Sequence, residues 1–217
     1  LIARASDPAV EEQVDKDLPR IFQAERLQRH NKLRRAALRR ILLAHAAHNA
    51  KPGYVQGMHE IAGAALLPEN ADADPPNEED EERAFWLLTE AVQKLLAGFF
   101  APGMPGLRVE YRLLERLIGL DDPSLTEQLA GLGIELSMLT ASWFLTLFQK
   151  DLDEAEARRA LDMLYSGRLS PLQLALGIVR AATPALLSAA SCEEVSAALS
   201  GVLRPSGPEP TPPTPSR

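Results

Sequence analysis

Apolar residues recur at helical spacing along almost the whole of this 217-residue chain. Leu38, Ile41, Leu42 and His45, for example, lie three or four residues apart, which puts them on one face of a helix. Alternation of apolar and polar residues, which marks a half-buried strand, is nearly absent. The sequence therefore predicts an all-α fold of eight or nine helices with no sheet.

Four arginines lie between these apolar positions and give the same helix a basic polar face. They are Arg34, Arg35, Arg39 and Arg40. Such a face is usually solvated, but it can also steer the protein toward an acidic partner or toward anionic lipid. Both interpretations expect the four side chains to face solvent.

Helix boundaries are also visible in the sequence. Four segments have the spacing of a capping box, in which an N-cap side chain and a side chain three residues later bond each other's backbone; they begin at Ser124, Asp153, Ser170 and Ser191. Pro171 stands at a first helical position, where its missing N–H has no helical partner to lose. Gly131 and Gly133 interrupt the pattern before a helical run that we expect to cover residues 135–150.

Composition and charge exclude several classes of protein. With 23 Lys and Arg against 30 Asp and Glu, the net charge is −7, whereas a general nucleic-acid binder needs a basic face. No apolar run reaches the roughly 18 residues of a spanning helix, and no signal peptide is visible. We therefore expect a cytoplasmic protein with no membrane span and no nucleic-acid partner. The chain begins with Leu1 and not with Met, so we expect a fragment.

Metal and nucleophile sites find little support in the sequence. His45 and His48 have helical spacing but no third ligand nearby, and His59-Glu60 does not extend to H-E-x-x-H because residue 63 is Gly. Cys192, the single cysteine, stands at a predicted helix start, either as a candidate nucleophile or as a small, partly buried residue without chemistry. No phosphate-binding loop motif occurs. We expect neither a metal nor a cofactor in this chain.

A first polar cluster stands ahead of the first long helix, in the segment Asp17-Leu-Pro-Arg20. Pro19 fixes its own backbone and disfavours helix at Leu18, so Arg20 is presented from a stiff turn. Asp17 is close enough in sequence to hold the guanidinium through charge-assisted bonds. The alternative is a surface arginine paired with a capping aspartate.

A second polar cluster covers residues 51–58, between two predicted helices. Pro52-Gly53 is a turn signal, and Gly57 permits another backbone to come close. Gln56 offers both a donor and an acceptor, so this loop can orient a water molecule against something docked on it. The alternative is an interhelical turn with a buried Tyr54.

Together these clusters resemble the TBC domain, the GTPase-activating domain for Rab GTPases. Residues 14–20 resemble its I-x-x-D-x-x-R motif, with Val14 in place of Ile, and residues 54–57 resemble its Y-x-Q-G motif. Residues 142–148 are similar to its [S/R]-W-F-L-x-L-F segment, and 159–167 to the block that follows, with Leu161 in place of Trp. Ile21-Phe22-Gln23 departs from the Thr-Phe-Pro that the family often has there.

The resemblance implies an irregular multi-helix domain in which two helical subdomains form a groove. It runs from about residue 11 to 202, so we expect a TBC domain over 1–203, with a finger-bearing subdomain over about 1–120 and a C-terminal subdomain over about 121–203. The helices that usually precede the first motif are largely missing. The acid-rich stretch 69–82 is expected to be a variable loop that runs into a helix start, and 204–217 a proline-rich disordered tail.

The resemblance also implies roles for individual residues. Arg20 is then an arginine finger and Gln56 a glutamine finger, both supplied in trans to a Rab GTPase. Asp17 holds Arg20, Tyr54 fixes the Gln56 loop, and Gly57 lets the GTPase backbone approach. GTP and Mg²⁺ belong to the partner, so this chain has no stand-alone active site.

Trp143 and Phe144 are a further candidate pair, either partner-binding residues in the groove or, as is usual for such a pair in an apolar helix, part of the core. The expected partner is a Rab-family GTPase in its GTP form, met by a monomer that visits endomembranes only through the Rab. A catalytically weak TBC-like scaffold or effector is the alternative function, and a helical adaptor unrelated to GTPases is a third.

Overall fold

The computed structural model describes residues 7–23, 25–67 and 74–205, with only the backbone at 25 and 26. Residues 69–73 of the acid-rich stretch and residues 206–217 of the tail therefore lie outside the described residues. Within these ranges the chain forms ten α-helices and no strand, which confirms the all-α prediction. Short helices of nine residues carry few apolar repeats, so periodicity alone did not separate them all.

The first helices surround the two polar clusters. They are α1 (Pro8–Asp17), α2 (Asn31–His48), α3 (Met58–Leu66) and α4 (Glu78–Glu90), with 3₁₀ turns at Leu18–Arg20 and Glu25–His30 and a π-helical turn at Ala91–Leu95. The remaining helices are α5 (Pro105–Asp121), α6 (Pro123–Gly131), α7 (Leu136–Leu145), α8 (Glu154–Tyr165), α9 (Pro171–Ser188) and α10 (Cys192–Leu203).

Three of the four predicted caps are confirmed. Asp153, Ser170 and Ser191 each accept a hydrogen bond from the backbone N–H three residues later. The prediction at Ser124 is wrong, because α6 begins at Pro123 and Asp122 caps it instead. A complete capping box between Asn77 and Asp80, at the start of α4, was not predicted.

The helix expected over 135–150 ends early, at Leu145. Leu147 and Phe148 follow with positive φ angles of 47° and 65°, conformations that residues with a Cβ rarely adopt. Both side chains are completely buried. The chain therefore leaves the helix and, by turning, directs these two side chains into the core.

Trp143 and Phe144 are core residues, and the prediction that they bind a partner is wrong. Their exposed fractions are 2% and 0%. The Phe144 ring packs against Phe99, Tyr111 and Phe148. This burial leaves no surface of the pair for a docked protein.

Helix packing divides the described chain into two sets. The helices α1 to α4 contact one another, whereas α5 packs against α6, α7 and α9, and α9 against α10. The subdomain boundary near residue 120 stays a prediction, and these contacts favour grouping α5 with the C-terminal helices.

The helix α9 has the length and composition of a membrane-spanning helix, with a mean hydropathy of 1.2. One face of it, including Ala175, Val179 and Ala182, is buried inside the protein. Its Arg180 pairs with Asp121 at the end of α5. We interpret α9 as a core helix of the domain.

The basic face of α2 is largely engaged within the protein, contrary to the expectation that it faces solvent. Arg34 is 1% exposed and donates to the Leu27 carbonyl over 2.7 Å. Arg39 pairs with Glu11 and Asp15 of α1, and Arg40 with Glu81 of α4; all three ion pairs are partly exposed. The arginines of α2 therefore attach neighbouring segments to that helix.

Candidate functional site

Arg20 closes the 3₁₀ turn Leu18–Arg20, and the backbone on both sides of it is held by α2. The Arg35 guanidinium donates to the carbonyls of Pro19 (2.9 Å) and Ile21 (3.0 Å). Phe22 then adopts a positive φ of 59° with its side chain buried, and its carbonyl accepts from Asn31 of α2. This support is not predictable from the sequence, because nothing local distinguishes Arg35 from the other arginines of α2.

The Arg20 side chain is tethered at one end and otherwise open. Its Nη1 lies 3.1 Å from Oδ1 of Asp17, which is 1% exposed, whereas the Arg20 side chain is 63% exposed. A buried carboxylate needs hydrogen-bond donors, and Gln13 supplies another at 3.2 Å. Asp17 thus restrains the guanidinium without covering it, in agreement with the contact expected from the sequence.

Tyr54 connects the second cluster to the first. Its buried hydroxyl donates to Oδ2 of Asp17 over 2.8 Å. Burial, and after it the bond to Asp17, raise the pKa of the Tyr54 hydroxyl, so the group remains a donor at any physiological pH. The two polar clusters, separated by more than thirty residues in sequence, therefore meet at one carboxylate.

Gln56 lies in the turn before α3 with its side chain exposed. Among the described residues, no hydrogen bond restrains its amide. The turn is closed by a bond from Met58 N–H to the Val55 carbonyl (3.2 Å), and Gly57 follows Gln56 with a φ of 107°. The amide is therefore free to meet groups brought by another molecule.

Gly57 permits a close approach, but the neighbour belongs to the same chain. A Cβ at this position would lie 2.8 Å from the carbonyl oxygen of Leu145, at the end of α7. The end of α7 thus occupies the space beside Gly57 that a GTPase backbone was expected to enter. The absence of a side chain at Gly57 therefore lets the Gln56 turn pack directly against α7.

Arg20 and Gln56 line the same groove, whose volume is about 1030 Å³. One wall consists of the two polar loops and α3, and the other of the end of α7 and of α8. Apolar side chains such as Val55 and Leu161 alternate with charged ones, among them Glu60 and Lys150. Trp143 and Phe144 are not among its lining residues.

His45 and Cys192, considered above for metal binding and for nucleophilic chemistry, lie outside the groove. No three metal-ligand side chains cluster within the described ranges. His45 is fully buried against the Thr89 hydroxyl (3.2 Å), and burial followed by the neighbouring His48 lowers its pKa to about 4. Cys192 is exposed at the first residue of α10 and does not line the groove.

The fold and the groove define an all-helical domain in which Arg20 and Gln56, from separate loops, line one open groove. Residues 2–187 match the family model of the Rab-GTPase-TBC domain. The chain therefore belongs to the Rab-GTPase-TBC domain family, as the resemblance of its motifs indicated.

Two relatives illustrate the match in sequence. The chain is 29% identical over 177 residues to growth hormone-regulated TBC protein 1-A of Danio rerio, a match that covers 80% of this chain and 47% of that protein. It is 34% identical over 152 residues to TBC1 domain family member 2A of Rattus norvegicus, covering 69% of this chain and 16% of that protein. The chain thus spans less than half the length of either relative.

Two solved structures have the same fold. The Chlamydomonas flagellar RabGAP TBC domain superposes with a TM-score of 0.70 at 26% identity, covering 89% of this chain and 62% of that one. The Ypt/Rab-GAP domain of Gyp1p gives a TM-score of 0.72 at 19% identity, covering 94% and 69%. At 19% identity the second likeness concerns the fold alone.

Proposed function

We propose that this domain stimulates GTP hydrolysis by a Rab-family GTPase and supplies Arg20 and Gln56 in trans. The observation that carries the proposal is that these two exposed side chains line one groove while their loops meet at the buried Asp17. Membership of the Rab-GTPase-TBC family supports it. GTP and Mg²⁺ would be held by the GTPase, which agrees with the lack of a phosphate-loop motif in this sequence.

Arg20 suits the electrostatic part of the reaction. Phosphoryl transfer to water passes through a loose transition state with charge spread over the phosphoryl oxygens. A guanidinium is always charged, and its planar fork donates two bonds at once, which an ammonium group cannot do in a fixed geometry. Asp17 occupies only one end of Arg20, so the other nitrogens remain for the phosphate.

Gln56 suits the positioning of the attacking water. Its amide can accept from that water and donate to a phosphoryl oxygen, whereas an ionised carboxylate can only accept. The side chain carries no hydrogen bond among the described residues that would have to break first. The expected location, in the cytoplasm and transiently at endomembranes, follows from the partner and stays a prediction.

Single-turnover GTP hydrolysis across a panel of Rab GTPases tests the proposal. Arg20→Ala should lower the stimulated rate by about 10³–10⁵-fold, the usual contribution of an arginine finger. Arg20→Lys and Gln56→Ala should also lose most of the stimulation. Arg180→Ala is the matched control, because Arg180 is 59% exposed and paired with an aspartate but lies outside the groove.

The measurement also separates the alternative functions. If the wild-type domain binds a Rab but does not accelerate hydrolysis, the domain is a scaffold or effector and the proposal is wrong. If Arg20→Ala is folded by circular dichroism and stimulates as well as Arg180→Ala does, the finger assignment is wrong.

A further inference from the structure

His59 lies between the two polar loops and has no role in the mechanism proposed above. It is the second residue of α3, is 4% exposed and belongs to the lining of the groove. Its Nδ1 is 3.1 Å from the Tyr54 hydroxyl and 3.4 Å from the backbone nitrogen of Gly57. Its Nε2 is 3.5 Å from a carboxylate oxygen of Glu60.

These contacts place a row of hydrogen-bonding groups between the candidate fingers. Arg20 meets Asp17 at 3.1 Å, and Asp17 meets Tyr54 at 2.8 Å. Tyr54 meets His59, and His59 meets the amide that directly follows Gln56. Its three inner side chains are at most 9% exposed, so water cannot readily replace a lost partner.

We propose that His59 is a positioning residue that couples the arginine loop to the glutamine turn, so that Arg20 and Gln56 are oriented together. The inference rests on the proposed function of the groove. His59 does not touch the reacting atoms in this scheme. It acts through Tyr54 on one side and through Gly57 on the other.

The donors and acceptors explain why a hydrogen-bonding side chain is needed here. Asp17 is the nearer and the charged acceptor, so the Tyr54 proton points to it, and the Tyr54 oxygen can accept from His59 only in the tautomer that carries its proton on Nδ1. The backbone N–H of Gly57, by contrast, can bond Nδ1 only when Nδ1 is the acceptor. The tautomer with its proton on Nε2 accepts from the Gly57 N–H and turns its own N–H toward Glu60, so each neutral tautomer bonds one of the two loops while the buried ring stays within reach of both.

Two substitutions separate hydrogen bonding from packing. Leucine fills much of the space but offers neither a donor nor an acceptor. Asparagine carries its amide on Cγ, the atom that carries Nδ1 in histidine, and can present either a donor or an acceptor there. His45→Leu is the matched control, since His45 is also buried and hydrogen-bonded but does not line the groove.

The first experiment is a single-turnover titration of the domain on a GTPase that the wild type stimulates. His59→Leu should lower the maximal rate by about tenfold to a hundredfold, as expected when reacting groups are displaced by about 1 Å. The half-saturating concentration of the domain should stay unchanged, because docking does not depend on the finger geometry. His59→Asn should recover most of the rate, and His45→Leu should retain it.

A double-mutant cycle tests the coupling itself. If Tyr54 and His59 act in one chain, Tyr54→Phe combined with His59→Leu should lower the rate no further than the more damaging single substitution. Multiplied effects would overturn the inference. A wild-type rate in His59→Leu, or a rate in His59→Asn as low as in His59→Leu, would overturn it as well.

Hydrogen exchange of the Gly57 amide gives a measurement that needs no GTPase. It should be faster in His59→Leu than in the wild type and unchanged in His45→Leu. Exchange unaffected by His59→Leu would refute the role of His59 even if the domain is an active GTPase activator. Failure of the wild type to stimulate any GTPase would refute the proposed function, while the Gly57 exchange would still decide whether His59 holds the turn.

Discussion

Gly57 and Gly53 make a matched pair for testing how the glutamine turn is held. Both lie in the loop before α3 with positive φ angles, 107° at Gly57 and 75° at Gly53. A Cβ at Gly53 would meet nothing nearer than 3.9 Å, whereas one at Gly57 would lie 2.8 Å from the Leu145 carbonyl oxygen. Substituting each by alanine therefore separates backbone strain, which both share, from the contact with α7.

The expected magnitudes follow from these two contributions. Gly53→Ala places an alanine in the left-handed region, at a cost of about 1–2 kcal/mol in the free energy of unfolding. Gly57→Ala adds a steric conflict with a backbone atom, and forced repacking of this kind costs about 1–3 kcal/mol more. Relieving it moves the turn or Leu145 by roughly half an ångström, and since Gln56 is adjacent, the stimulated rate should fall about tenfold or more.

Urea denaturation followed by circular dichroism measures the stability of both variants, and single-turnover hydrolysis measures their stimulation. Gly57→Ala should be the less stable and the less active of the two. Equal stability and equal rates in the two variants would show that Leu145 does not support the turn, and the account of Gly57 would then be wrong.

Three other predictions concern the core and the buried polar groups. Trp143→Ala should lower the free energy of unfolding by about 3–5 kcal/mol, as loss of a core aromatic does; a change below about 1 kcal/mol in urea denaturation would contradict its burial. Tyr54→Phe removes the shortest hydrogen bond to the buried Asp17 and should cost about 1.5–3 kcal/mol, together with part of the stimulated rate; an unaltered unfolding curve and rate would refute the link between the loops. His45 has a pKa near 4 in the folded state against 6.5 in the unfolded chain, so as the pH falls the unfolded state takes up the proton first. The free energy of unfolding should therefore drop by about 2 kcal/mol from this residue between pH 7 and pH 5, and His45→Gln should abolish that part of the drop; identical pH dependence in the variant and the wild type would refute it.

Much of the local structure could be predicted because it depends on neighbouring residues. The helical class follows from apolar spacing, and three of four caps follow from a serine or aspartate placed three residues before its partner. The failure at Ser124 has the same local origin, since Pro123 takes the first helical position, moves the helix start by two residues and makes Asp122 the cap. The early end of α7 was not predictable, because burial of Leu147 and Phe148 requires helices far away in sequence.

The candidate site was only partly visible in the sequence. Arg20 and Gln56 were identifiable from their motifs. The bond from Arg20 to Asp17 was predictable because the two residues are three positions apart. The supporting role of Arg35 and the junction at His59 were not, since each depends on partners brought together by folding. The basic face of α2 was misjudged for the same reason, because the carbonyl that accepts from the buried Arg34 belongs to another segment.

The sequence by itself thus determined the helical class, three of the helix starts, the family and the two candidate finger residues. These properties depend on residue type and on the spacing of residues that are close in the chain, and both can be read directly from the sequence. Only the tertiary structure decided which polar and aromatic groups are buried, that Gly57 fits against α7 and not against a partner, and that two distant loops meet at Asp17. Those outcomes depend on contacts between residues far apart in the chain, and such contacts exist only after the helices have packed.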